Sequence, residues 1–192
     1  MLILTLLLSS YVCADNNKKL HKIDYSGGFI VWLDCEYRGA VKVRYNAQRD
    51  VGDLERYRYF RLDPNVPTQC QQLSSDTYRR PDGGKPMYDR GHLVPANILD
   101  RTEEGIRQSN YMTNIVPMHY YVNRWGAWRQ TEVISECYRD IDELLIFAGV
   151  IWGDDASNDH FVKSHGIVTP DYLWKLIIRG NGGTNAWIIP NE

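Results

Sequence analysis

Cysteine is scarce in this chain, with 4 among 192 residues, and none falls in a C-x-x-C pair, so a structural zinc site is not expected. Long hydrophobic runs are missing as well. The apolar stretch at residues 1–8 is far shorter than the roughly 20 residues that cross a bilayer, so no membrane partner is expected. No internal repeat, low-complexity tract or long linker interrupts the sequence, which leaves no domain boundary after residue 15. A surplus of positive charge is absent too: 22 Lys and Arg against 24 Asp and Glu give a formal net charge of −2.

What remains, 43% hydrophobic and 24% charged residues, is ordinary for one globular domain and excludes disordered and collagen-like classes. The N-terminus reads as a cleaved signal over residues 1–14: an apolar run, then Ser9, Ser10 and the small-residue context Val12-Cys13-Ala14 before Asp15. The mature domain is then residues 15–192, secreted or periplasmic. The context Ser10-Tyr11-Val12 disfavours lipid attachment at Cys13. Cleavage leaves Cys35, Cys70 and Cys137 in an oxidising compartment. Cys35 and Cys70 both sit among loop-forming residues and are expected to pair, whereas Cys137 lies in an apolar helical stretch and is expected to be a buried thiol.

The charge is unevenly spread. Between Arg56 and Arg90, seven basic residues (Arg56, Arg58, Arg61, Arg79, Arg80, Lys85, Arg90) face four acids, while acids gather later at Asp140, Asp142, Glu143, Asp154, Asp155 and Asp159. One basic face on an acidic molecule suits a polyanionic partner. Strands are expected at residues 29–33, 40–45, 57–62, 144–151, 172–178 and 186–189, the first two joined as a hairpin. One helix is expected over 100–108, opened by Asp100 with Glu103 in capping-box spacing, and a longer one from 122 to about 139. Strands flanking helices in this mixed order imply an α+β fold around a largely antiparallel sheet.

Within the basic region stands Asp89-Arg90-Gly91-His92. A histidine beside an arginine and an aspartate, at a glycine that permits close backbone approach, suits phosphodiester cleavage. The base must take a proton from water while positive charge neutralises the phosphate. Further on come Asn114-Ile115-Val116-Pro117, Asn123, Gly126-Ala127-Trp128 and Glu132; upstream lies Arg58-Tyr59-Phe60-Arg61-Leu62-Asp63-Pro64, and downstream the strand from Pro170 to Lys175. In this order the boxes resemble the DNA/RNA non-specific endonucleases with a ββα-metal (His-Me finger) site, over essentially the whole mature chain.

The resemblance implies a ββα-metal nuclease fold and a catalytic set. His92 is the general base, Asn123 the direct ligand of Mg²⁺ (with Mn²⁺ or Ca²⁺ as substitutes), and Glu132 holds metal-bound waters. Arg58 and Arg90 bind the scissile or adjacent phosphate, and Asp89 and Asn114 orient their neighbours. The substrate it implies is DNA and RNA without sequence selection. Two other readings stay open: a secreted nucleic-acid-binding protein without catalysis, and a phosphodiesterase for a non-polymeric substrate. On local sequence alone Asn123 reads as an N-cap and Glu132 as a solvated side chain. Any of Tyr78, Trp125 and Trp128 could stack on bases, although aromatic residues this frequent are more often core.

The chain departs from the family pattern in two places. Glu136 stands where several relatives carry arginine, which removes a phosphate contact. The asparagine and glutamate are usually eight residues apart, but here Trp125 makes the spacing nine. On a regular helix eight residues turn through about 80° net and nine through about 180°, which would set the two side chains on opposite faces. Either Asn123 precedes the regular helix, or a one-residue π-bulge near residues 125–127 absorbs the insertion.

Overall fold

The computed structural model describes residues 20–85 and 87–192; the expected signal segment and Cys13 lie outside them. In chain order the strands are β1 (His21–Tyr25), β2 (Phe29–Asp34), β3 (Gly39–Ala47), β4 (Tyr88–His92), β5 (Ile115–His119), β6 (Leu144–Ile151), β7 (Tyr172–Arg179) and β8 (Thr184–Pro190). The helices are α1 (Glu103–Ser109), α2 (Tyr120–Arg124), α3 (Ala127–Arg139) and α4 (Val162–His165), with short 3₁₀ turns between.

Period-two burial builds the main sheet. On β2, Phe29, Val31 and Leu33 are buried while Ile30 and Trp32 between them are half-buried. Six strands pair antiparallel in the order β1-β2-β3-β6-β7-β8. The fold is thus α+β with a largely antiparallel sheet, as the sequence implied. The hairpin β2–β3 turns through Arg38 in the left-handed region, at φ 56°, and the Arg38 guanidinium bonds the carbonyls of Thr68 and Gln71. Cys35, just past β2, is bridged to Cys70.

A second, two-stranded ribbon of β4 and β5 sets the functional segment. Gly91 lies opposite Val116, and a side chain on Gly91 would collide with Met118, so the ribbon closes only on glycine here. From β5 the chain enters α2 and then α3, which packs against β6 and β7. Ribbon and helix together make a ββα unit laid on the main sheet.

Four local expectations are corrected. Residues 57–62 form no strand; Arg61 makes one bridge, to Tyr111, and Arg58, Tyr59 and Leu62 are exposed while Phe60 packs on the core, so no alternating apolar face runs along the segment. The first helix starts later than Asp100. Thr102 is its N-cap, its hydroxyl accepting from Gly105 N at 3.0 Å, and Glu103 and Glu104 occupy the first turn, where the helix dipole favours them. The helix expected over 122–139 is two helices with a break at Trp125 and Gly126. Cys137 is exposed, not buried: the buried stripe of α3 runs through Trp128, Thr131, Ser135 and Arg139, and Cys137 falls on the other side. The edge strand β1 was not anticipated from its short, polar sequence.

Candidate active site

The break between α2 and α3 resolves the nine-residue spacing. Both Trp125 N–H (3.0 Å) and Gly126 N–H (2.7 Å) donate to the carbonyl of Tyr121, the second being an i→i−5 contact of π type. Gly126 is needed there, because a Cβ would come within 2.9 Å of Val122 Cα and 3.0 Å of Tyr121 O. Asn123 therefore precedes the regular helix, and a wide turn takes up the extra residue. With the helix axis reset, Asn123 and Glu132 line one cleft of about 520 Å³.

His92 closes that cleft from the end of β4 and is 7% exposed. Its Nε2 lies 2.8 Å from Asn110 Oδ1, and Asn110 Nδ2 donates to Tyr57 O at 2.6 Å. A carbonyl oxygen can only accept, so Asn110 fixes the amide orientation and, through it, the tautomer: Nε2 carries the proton and Nδ1 keeps its lone pair. Burial depresses the His92 pKa to about 4. The Asn110 contact opposes this, and the charges of Arg56 and Arg90 add to it. A neutral imidazole with a free lone pair can take a proton at ordinary pH.

Asp89 is an organiser. Its carboxylate accepts from Asn123 Nδ2 at 2.9 Å and from Arg124 Nε and Nη2 at 2.8 and 2.5 Å. Since a carboxylate only accepts, the Asn123 amide must present its NH₂ to Asp89, which leaves its carbonyl oxygen for another partner. Arg90 spreads its guanidinium over the Phe60 ring at 3.9 Å and donates to Ser75 O at 2.8 Å, which holds it at the cleft wall.

Glu132 accepts from Arg129 Nη1 at 3.2 Å. Burial raises its pKa, and the charges of Lys175 and Arg129 oppose that rise. Lys175, on β7, is buried with its Nζ 3.9 Å from the Trp128 ring centre and bonded to no acceptor, and burial lowers its pKa to about 8 against the pull of Glu132. Glu136 pairs with Arg129 at 3.0 Å and accepts from Asn97 Nδ2 at 2.8 Å.

Five expected residues thus meet here: Asp89 holds the Asn123 amide, and Arg90, His92, Asn123 and Glu132 line the cleft. Two do not. Arg58 points into solvent, 3.7 Å from Glu55, and Arg56 lines the cleft in its place. Asn114 is buried away from the opening, where Oδ1 accepts from Val94 N and Nδ2 donates to the carbonyls of Val94 and Ser109, clamping the loop that leaves His92. Asn110, Arg124, Arg129 and Lys175 were missed. A polar residue such as Asn110 between two boxes carries no local signal, because its partner His92 is 18 residues away.

Asn123 and Glu132 suit a hydrated divalent cation: one amide oxygen left without a protein donor and one half-buried carboxylate whose desolvation a nearby positive charge relieves. No cluster of three or more His, Cys, Asp and Glu side chains suited to a metal occurs among the described residues, so an ion bound by Asn123 would retain most of its waters.

A ribbon carrying histidine, followed by a helix carrying an oxygen ligand set, is the architecture of the ββα-metal nucleases. The crystal structure of the EndoG/EndoGI complex superposes with a TM-score of 0.68 over 90% of this chain and 74% of that one, at 17% identity, a likeness of fold. The family model for DNA/RNA non-specific endonucleases matches residues 14–192, and the chain belongs to that family. Relatives include mitochondrial nuclease EXOG of Mus musculus, 23% identical over 74% of this chain, and of Danio rerio, 24% over 79%. Nuclease C1 of Cunninghamella echinulata var. echinulata is 24% identical over 69%. The chain spans 41%, 46% and 55% of the length of these relatives.

Proposed function

We propose that the protein is a secreted, divalent-metal-dependent endonuclease that hydrolyses phosphodiester bonds in DNA and RNA without sequence selection. The observation that carries this reading is the single cleft in which a buried His92, its tautomer fixed by Asn110, meets the Asn123 carbonyl and Glu132 beside Arg56 and Arg90.

His92 Nδ1 takes a proton from the attacking water, whose oxygen bonds to phosphorus as the bond to the 3′ oxygen breaks. Arg90 and Arg56 bind the non-bridging phosphate oxygens, where guanidinium groups give paired contacts. Asn123, with Glu132 orienting bound waters, would hold a divalent cation such as Mg²⁺, which would supply Lewis-acid stabilisation of the developing negative charge; Mn²⁺ and Ca²⁺ share the preference for oxygen ligands. Asp89 keeps Asn123 oriented, and Arg124 neutralises Asp89. Phosphate contacts carry no base information, which supports action on both polymers. The Cys35–Cys70 bridge supports an oxidising compartment.

Incubation of plasmid DNA and a long RNA with the protein and Mg²⁺ is expected to degrade both, and chelator to stop it. Intact polymers with Mg²⁺ and with Mn²⁺ would refute the reading. Lys175→Met removes a positive charge that favours the Glu132 carboxylate, so Mg²⁺ affinity is expected to fall more steeply than in wild type as the pH is lowered. Titration calorimetry at pH 7 and pH 9 checks this: affinity recovers at the higher pH if charge is the cause, and stays low if packing is.

A further inference from the structure

The residue inserted between Asn123 and Glu132 is a tryptophan, and the helix break turns it outward. Trp125 is 58% exposed, whereas Tyr78 and Trp128, the other aromatic residues considered for stacking, are fully buried core. It does not stand alone. Tyr120 meets it edge-to-face with centroids 6.1 Å apart, Tyr120 and Tyr121 are themselves exposed, and the Arg124 guanidinium lies 5.8 Å from its ring centre. Exposed aromatic rings forgo the gain of burial, so a surface group of this kind points to a partner. Asn123 and Arg124, the two residues before Trp125, line the cleft, and the Arg124 guanidinium spans from its lining to the Trp125 ring.

From this geometry we infer that Trp125, backed by Tyr120, is a stacking shelf for an unpaired nucleobase of the strand whose phosphate occupies the cleft. The inference rests on the nuclease reading and names its preferred substrate as single-stranded nucleic acid, DNA or RNA. In a duplex each base face is covered by its neighbours, and only the phosphates and groove edges are offered. In a single strand a base can swing out and lay its face on an indole. Among the arginines that line the cleft, Arg124 is paired with Asp89 and Arg129 with Glu132 and Glu136, which leaves Arg56 and Arg90 to meet the phosphates of the strand. Every base has an aromatic face, so the shelf selects strandedness and not sequence.

Trp125→Ala keeps the chain length and the Gly126 turn. Stacking contributes enough that its loss should weaken binding of a single-stranded oligonucleotide by about tenfold. Anisotropy of labelled single-stranded and duplex oligonucleotides, read in chelator with wild type, Trp125→Ala and Trp125→Phe, tests this. The expected result is a loss confined to the single strand, largely restored by phenylalanine. Equal losses on both forms, or no loss, would overturn the shelf while leaving the nuclease intact. Cleavage of plasmid and RNA by the wild type is read in parallel, and its failure would instead count against the nuclease reading.

Discussion

Replacing His92 by alanine is expected to lower kcat on both DNA and RNA by roughly 10²- to 10⁴-fold, the range a positioned general base contributes. The fold should survive, since Asn114 and not His92 clamps the loop that follows β4. KM should change little, because phosphate binding belongs to the arginines. Activity within threefold of wild type would refute the role. The same residue makes stability depend on pH. Its pKa is about 4 in the folded protein against 6.5 for the free side chain, so between these values the unfolded chain binds more protons than the folded one. Stability is therefore full above pH 6.5 and falls as the pH drops toward 4, by up to about 3 kcal/mol. Urea titrations of wild type and His92→Ala across this window should differ in slope, and parallel curves would contradict the burial argument. The basic form of the imidazole also persists well below pH 6.5, so the acid limb of kcat/KM should lie lower than that of a solvated histidine.

Loss of the disulfide is expected to have the next largest effect. Cys35 and Cys70 enclose a separation of 35 residues, and opening a loop of that size releases chain entropy equivalent to about 4 kcal/mol in the unfolded state. A Cys35→Ser/Cys70→Ser double variant should melt about 8 to 16 °C lower, given the size of the domain. Neither cysteine lines the cleft, so cleavage at a temperature where the variant is folded should stay within twofold of wild type. A melting point unchanged by the substitution, or by a reductant on the wild type, would show that the bridge does not form in solution. Cys137 is exposed on α3, and its replacement by serine in the same experiment should leave the melting point within a degree or two, since an exposed side chain contributes little burial.

Much of the site was legible because its residues come in ordered boxes, and each box corresponds to one structural piece. Asp89, Arg90 and His92 lie on one strand of the ribbon, and Asn123 and Glu132 on the helices after its partner. The strands β2, β3, β6, β7 and β8 were legible from apolar runs and period-two alternation. The place of Arg58 was not legible, because a segment rich in arginine and tyrosine takes its course from what it packs on; here that brings Arg56 to the cleft and leaves Arg58 exposed. Asn110 and Lys175 were invisible for a related reason. Their importance lies in a contact with a group far along the chain, His92 in one case and the Trp128–Glu132 face of α3 in the other.

The sequence by itself determined five strands of the main sheet, the family, the pairing of Cys35 with Cys70 and the box that carries His92. These rest on local pattern: side-chain period, turn residues and the spacing of boxes. The tertiary structure alone decided how nine residues could join Asn123 to Glu132. Spacing along the chain sets an angle only while the helix is regular, and the hydrogen bonds from Trp125 and Gly126 to Tyr121 reset that angle. It also decided which tautomer His92 holds, which arginine faces the cleft and which tryptophan is left for solvent, because each depends on groups that meet only when the chain folds.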